Sequence, residues 1–373
     1  MDRNPACTDP NWVPADLPDE VTMVVKKIML KSRIPGLSIA ALHHDRLICA
    51  QGFGFADFRN ELKASPNSSY LWFSISKLVT ATAILRLVDE GQLELDAPVT
   101  KYFSGLLKRI PSNEPTVRQL LNHTAGLVNP FPIRWIRPAG TTINSREFLD
   151  SFLTKRDVFK YQAGGRARYS NLGYLILAEI IAEVSGQAFQ QYVEDAVLLP
   201  TGMTRTGYDY QVGAPRATGY IKIPAIATPL LKAVLPGGII ETRHGRHVGL
   251  KPFLVKGLGY GGLVGDVVDA ARFAALHLGD GSFNGHQVLA TQTAQKMRQI
   301  DTPGKPFDFG MAWFRNASQH GASPAFVEHH GAGAGFYNVL RIYPDIDLGI
   351  VVMANTTASY NHEAIFDAMR RAL

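Results

Sequence analysis

Cysteine is nearly missing: Cys7 and Cys49 are the two in 373 residues. A pair is too few for a disulfide framework and lacks the clustered spacing of a zinc site, so two reduced thiols are expected. Positive charge is not concentrated either. Lys plus Arg (38) exceed Asp plus Glu (32) by only 6, and no basic block interrupts the chain, which speaks against a nucleic-acid partner. Long apolar runs are also lacking. The best candidate, Ile223 to Ile240, is broken by Pro224, Pro229, Lys232 and Pro236, so no transmembrane segment is expected. The opening residues Met1 to Cys7 carry Asp2 and Pro5 where a secretory signal would place its apolar stretch, so a cytoplasmic location is expected. No serine lies in Gly-x-Ser-x-Gly, which removes the α/β-hydrolase route to a nucleophilic serine.

What remains is a folded chain. Hydrophobic residues make up 46% and charged residues 19%, and the length fits about two domains. Residues 17–32 place Val21, Val24, Val25, Ile28 and Met29 at helical spacing before Pro35-Gly36. Two strand-like runs, Leu37–Leu42 and Leu47–Phe55, flank the polar turn at His43 to Arg46. Ser74 to Glu90 reads as a helix apolar almost all round and stopped by Gly91, and hence interior. From about 95 to 205 the patterns are helical, at Val117–Asn122, Arg146–Leu153, Asn171–Val184 and Phe189–Leu198, with strand signals almost absent. Residues 208–258 show no sustained period and read as an irregular insertion that carries Lys222, Lys232, Arg243, Arg246, Lys251 and Lys256. A helix at Val267–Leu278, strand-like runs at Phe309–Phe314, Phe336–Ile342 and Gly349–Ala354, and a last helix at Glu363–Leu373 complete the chain. No internal repeat is visible.

The N-terminal hairpin and the C-terminal strands are each too few for a stable sheet, so they are expected to join one antiparallel sheet. The resulting domains are 10–60 plus 260–373, a discontinuous α/β sheet domain, and 61–259, a mainly helical domain that includes the insertion. A ligand cleft is expected between them.

Three clusters carry chemistry. Ser74-Ile75-Ser76-Lys77 puts a hydroxyl and an amine three residues apart on one helix face, at an N-terminus whose partial charge favours an alkoxide. Ser-x-x-Lys alone is common by chance, as a helix cap with a solvated lysine. Here the helix is apolar all round, which carries Lys77 inward. Tyr169-Ser170-Asn171 opens the next long helix, with a phenol suited to acid–base work and an amide able to hold the Lys77 amine. Taken alone, Ser170 or Asn171 reads as an N-cap and Tyr169 as a packed aromatic. Glu328 to Phe336 (Glu-His-His-Gly-Ala-Gly-Ala-Gly-Phe) reads as a glycine-rich turn before an edge strand, where free N–H groups can form an oxyanion hole. Without a matching carboxylate or cysteine cluster, His329-His330 is not read as a metal site.

Ser-x-x-Lys, then Tyr-x-Asn, then His-x-Gly before the last strands, in that order, resembles the serine β-lactamase and penicillin-binding protein superfamily. Further matches are Ile34-Pro35-Gly36, Gly52 to Asp57, Gln119 to Leu127, Gly202-Met203, Gly261-Gly262-Leu263 and Tyr343-Pro344, covering residues 20–360 or so. Tyr-Ser-Asn places the chain near the class C branch and its family VIII carboxylesterase relatives. The resemblance implies an α+β, β-lactamase/transpeptidase-like fold with an antiparallel sheet, flanking helices and an inserted helical domain. It implies Ser74 as nucleophile, Lys77 as its activating partner, Tyr169 as general base and Asn171 as an orienting residue. It places oxyanion N–H groups at Ser74 and Ala332, substrate contacts at His330, Gly331 and Gly333, and needs no metal or organic cofactor.

His329 departs from the family pattern, standing where Lys begins the Lys-Thr-Gly motif. A lysine helps hold the carboxylate of penicillin-like substrates, whereas histidine is mostly neutral at pH 7. The expected substrate is therefore a small carboxylic ester. The alternatives are a β-lactam or a D-aminoacyl amide, as for a DD-peptidase or D-aminopeptidase, and, from another class, a non-catalytic sensor on the same fold. The aliphatic run 223–240 is expected to form a hydrophobic lid or to pack on the core. Oligomeric state is not legible.

Overall fold

A computed structural model describes residues 12, 14–103, 105, 114–130, 135–154, 157–319, 321–322 and 324–373. Helix α1 (Asp19–Ser32) begins with Asp19 and Glu20, ends with Lys31 and so complements its own dipole, and buries Val21, Val25 and Ile28. Arg33, in the left-handed region at φ 56°, stops it. The hairpin of β1 (Gly36–His43) and β2 (Arg46–Asp57) follows, with β3 (Leu62–Lys63) on its outer side.

The remaining strands of the main sheet come from the far end of the chain: β4 (Phe307–Phe309), β5 (Phe314–Asn316), β6 (Val327–Gly333), β7 (Phe336–Tyr343) and β8 (Leu348–Ala354). Their order is β4-β5-β6-β7-β8-β1-β2-β3, and the pairing from Leu37↔Ala354 to His43↔Leu348 joins the two ends of the chain. The expected single antiparallel sheet is present. Alternation decides its faces. Leu37, Ile39, Ala41, Ile350 and Val352 pack with α1 and the last helix, whereas Ala40, Leu42, Val351 and Met353 face the larger core. Covered on both sides, the strands read as near-continuous apolar runs.

Helix α2 (Ser76–Asp89) is buried from Ser76 to Leu85, and α3 (Asn171–Ser185) ends at Gly186, whose φ of 68° suits glycine. Helix α5 (Val267–Leu278) backs the sheet, following α4 (Thr228–Val234), and α6 (His362–Ala372) buries Ile365, Phe366 and Met369 but leaves Leu373 exposed. Shorter helices at Val117–Leu121, Ser145–Leu153 and Phe189–Val193 complete the expected helical block, the last continuing as a π-type turn over Glu194–Leu198.

Several expectations are corrected. The insertion is not irregular: Tyr220–Lys222, Ile240–His244 and His247–Leu250 form a three-stranded sheet. Ile136–Pro138, inside the block read as strand-free, pairs with Phe253–Val255. The run Phe309–Phe314 is not one strand but the turn between β4 and β5. The glycine-rich segment is itself strand β6, held between β5 and β7 rather than leading to an edge. Cys49 is a buried free thiol whose pKa is pushed up to about 12 by burial, while Cys7 and the first residues of the expected sheet domain lie outside the described residues.

Candidate active site

Ser74 does not sit in α2 but in the single 3-10 turn Phe73–Ile75 just before it. Phe73 holds φ 47°, a costly value for a bulky residue, and such strain clusters at functional turns. Strand β6 lies directly against this turn. A Cβ on Gly331 would stand 2.0 Å from the Trp72 carbonyl oxygen, and one on Gly333 would stand 2.0 Å from the Phe73 ring. The two glycines are thus demanded by close approach of strand to nucleophile.

Lys77, the second residue of α2, is fully buried. Its amine donates to Ser74 Oγ at 3.1 Å, Asn171 Oδ1 at 2.8 Å and the Tyr260 carbonyl at 3.1 Å. The rings of Tyr169, Tyr174 and Tyr260 surround it at 4.7, 5.4 and 5.2 Å. All three partners are neutral, so burial alone drives its pKa well below the ordinary lysine value. Tyr169 is hydrogen-bonded to Ser74; burial pushes the phenol pKa upward, against the opposing effect of that bond. Ser74 therefore lies between an amine disposed to be neutral and a phenol disposed to keep its proton, which tells against Tyr169 as the resting base.

The structure unites Ser74, Lys77, Tyr169 and Asn171 as expected. Ser170 occupies the N-cap position of α3 without capping it; its hydroxyl donates to the Val128 carbonyl. His329 is buried with its ring 6.4 Å from that of Tyr169 and 4.7 Å from that of Phe314. Burial, helped by the Lys77 charge, holds its pKa well below the ordinary histidine value. Its Nδ1 bonds the His330 carbonyl at 2.8 Å, which fixes the proton there and leaves Nε2 a bare acceptor.

His330 is not brought to this site. Alternation along β6 turns it to the opposite sheet face, among Phe307, Phe314, Tyr337 and His362. Gly331 meets Trp72 rather than open space, and of the three expected substrate contacts only Gly333 borders the cavity beside Ser74.

That cavity has a volume of ≈ 360 Å³. Ser74, Asn171, Ala332 and Gly333 form its polar side, and Trp135, Ile136, Val255 and Tyr260 its apolar wall, with Val234 and Leu235 contributed by the insertion. Among the described residues, no charged side chain lines it.

Two residues without a role in the sequence reading belong here. Tyr260 supplies both a carbonyl to Lys77 and a wall of the cavity. Its signal was the surrounding glycines: a Cβ on Gly259 would stand 2.3 Å from the Tyr174 carbonyl. His123, buried, accepts the Ser170 N–H at Nδ1 (3.3 Å) and lies 4.6 Å from the Tyr169 ring, fixing the strand-like entry to α3. Its place within Asn122-His123-Thr124 gave the only hint.

A profile of the beta-lactamase family matches residues 21–373. The chain belongs to the beta-lactamase family. "Protein flp" of Staphylococcus aureus is 25% identical over 349 residues, 92% of this chain and 64% of that protein. The chain thus spans just under two thirds of that relative's length. Among solved structures, EstCE1, described as a hydrolase with promiscuous acyltransferase activity, superposes with a TM-score of 0.75 at 20% identity, covering 94% of this chain and 97% of its own. A class C beta-lactamase from Rhodobacter sphaeroides gives 0.71 at 20% identity, covering 95% and 99%. At such identities the likeness establishes fold, which is the α+β β-lactamase/transpeptidase architecture. Ser74, Lys77, Tyr169 and Asn171 all lie within the matched residues.

Proposed function

We propose that the protein hydrolyses carboxylic esters with an apolar acyl group, through an acyl-enzyme on Ser74. The uncharged cavity beside Ser74 carries this reading. Among the described residues, a carboxylate-bearing penicillin or D-alanyl peptide would find no fixed cation there, since Lys77 is engaged in three bonds and His329 is buried and disposed to be neutral.

In the proposed sequence neutral Lys77 accepts the Ser74 proton as Oγ attacks the ester carbonyl. The N–H groups of Ser74 and Ala332 hold the oxyanion. Collapse of the tetrahedral intermediate expels the alcohol, which receives its proton from the Lys77 ammonium by way of the Tyr169 hydroxyl. Water then adds to the acyl carbonyl, giving one proton to Lys77, and Ser74 Oγ leaves with that proton. Tyr169 thus relays protons instead of starting as the base, a role that suits its raised pKa. The likeness to EstCE1 supports an acyl-enzyme that an added alcohol can also intercept.

Val234 and Leu235 on the cavity wall support the reading of the 223–240 segment as a lid over the acyl chain. Leu230 and Ile226, four and eight residues before Val234 on the same stretch, are 69% and 90% exposed.

A panel of p-nitrophenyl esters, penicillin and D-aminoacyl amides run on the wild type and Ser74→Ala tests the proposal. Ester turnover that vanishes in Ser74→Ala is expected. Penicillin or amide turnover well above ester turnover would replace the ester with an amide substrate, and no turnover or Ser74 labelling at all would favour the sensor.

A further inference from the structure

Behind the catalytic strand, on the sheet face away from Ser74, two carboxylates, two imidazoles and one guanidinium are gathered. Arg341, almost fully buried, donates from Nε and Nη2 to Glu328 Oε2 at 2.9 and 2.7 Å. Its Nη1 and Nη2 also donate to Glu363 Oε2 and Oε1 at 2.9 and 2.7 Å. Gln319 Nε2 donates to Glu363 Oε1 at 3.1 Å. One cation thus serves two carboxylates, and a net negative charge remains.

The two imidazoles lie beside these carboxylates. His330 Nε2 lies 3.1 Å from Glu328 Oε1 yet is buried without a well-formed hydrogen bond. His362 Nδ1 lies 3.2 Å from the Tyr360 carbonyl, which can only accept, so a proton belongs on Nδ1, and Nε2 lies 3.5 Å from Glu363 Oε1. A histidine whose second ring nitrogen donates to a backbone carbonyl is the usual second-shell arrangement of a metal ligand. Donor atoms of Glu328, His330 and His362 all lie within 4.8 Å of one another.

We infer that Glu328, His330 and His362 form a binding site for a divalent ion of the zinc class, which ties the N-terminus of α6 to strand β6. Two imidazole nitrogens and a carboxylate oxygen are the donor set such an ion takes, with water in the fourth position. Tetrahedral coordination brings donors about 3.3 Å apart, given metal–ligand distances of about 2.0–2.1 Å. The Glu328–His330 separation of 3.1 Å already meets that, and the third donor lies within 4.8 Å of both. His330 and His362 remain 17% and 14% exposed, which leaves an entry path. The carboxylate missing from the sequence reading of the His-His pair was Glu328, two residues away and on the same strand face, and the third ligand came from the other side of the sheet sequence.

The test uses tag-free protein stripped with chelator and titrated with Zn²⁺ against a chromophoric competitor. One equivalent is expected to bind, raising Tm, and Co²⁺ in its place is expected to give tetrahedral visible absorption. His362→Gln, at the more accessible end of the site, is expected to weaken binding tenfold or more and abolish the Co²⁺ spectrum; His330→Gln does the same if it folds. Ser74→Ala is expected to bind as the wild type does, which separates this site from the esterase reading. Absence of saturable uptake, or uptake that survives His362→Gln, overturns the inference.

Discussion

At the scale of single residues the decisive fact is that Lys77 is buried with no carboxylate beside it. Its three acceptors, Ser74 Oγ, Asn171 Oδ1 and the Tyr260 carbonyl, are all neutral. Burial then favours the uncharged amine; the proposed mechanism needs that amine free of its proton, so the acid limb of kcat/KM is expected to report Lys77 and to fall below the ordinary lysine range. Asn171→Asp sets a carboxylate where the amide now lies at 2.8 Å. An opposite charge that close raises a lysine pKa by about 1–3 units. The acid limb is accordingly expected to move upward by that amount, with activity recovering at high pH; a limb that stays in place would assign it to another group. Ser-x-x-Lys and Tyr-x-Asn were readable because an apolar helix advertises what it carries inward. The direction of proton flow was not, because it depends on Tyr174, Tyr260 and His123 closing around the amine from three distant parts of the chain.

Among elements, strand β6 does two jobs on its two faces. One face presses glycines on the nucleophile turn, and the other carries Glu328 and His330 toward α6. Gly331→Ala forces a methyl to within 2.0 Å of the Trp72 carbonyl. Overpacking of this kind costs about 1–3 kcal/mol, so a lower Tm is expected together with reduced kcat, because Trp72 leads directly into Phe73 and Ser74. Helix α4 and its following residue act on the substrate side. Burying a leucine-sized surface is worth about 1.5–3 kcal/mol, so Leu235→Ser is expected to reduce kcat/KM for octanoyl esters roughly tenfold while leaving acetyl esters nearly unchanged. Equal losses on both chain lengths would remove Leu235 from the acyl wall. Strand β6 was misread because Gly and Ala outnumber the β-branched residues that mark strands, whereas its neighbours hold it by register alone. The insertion was misread for a related reason: its strands are three to five residues long and their apolar positions are scattered between prolines and glycines.

The whole molecule is held at one end by the Glu328–Arg341–Glu363 cluster. For both carboxylates burial works upward on the pKa, yet the surrounding His and Arg groups win and hold each below its ordinary value of 4.5. Carboxylates depressed in the folded state stabilise it above their unfolded pKa, and that contribution is lost as pH falls through the folded value. Acid unfolding of the wild type is therefore expected to steepen below about pH 4.5. Arg341→Met takes the permanent cation away from buried Glu328, a change that costs about 3–5 kcal/mol at neutral pH. Thermal melts across pH 3–8 check this: the deficit should shrink toward acid, where the carboxylates take up protons. That the two terminal groups of strands join one sheet was legible because neither could stand alone.

The pairing of β1 with β8 has a consequence for how the protein comes into being. Gly36 N–H donates to Asn355 Oδ1 at 2.6 Å across 319 positions of chain. Contacts so remote in sequence make folding slow, since loop closure must precede their reward. During synthesis Ser74 and Lys77 leave the ribosome long before β6 and β8 exist, so a nascent chain carries the nucleophile without its supporting wall. The strand that presses on the Ser74 turn is thus added to the site last.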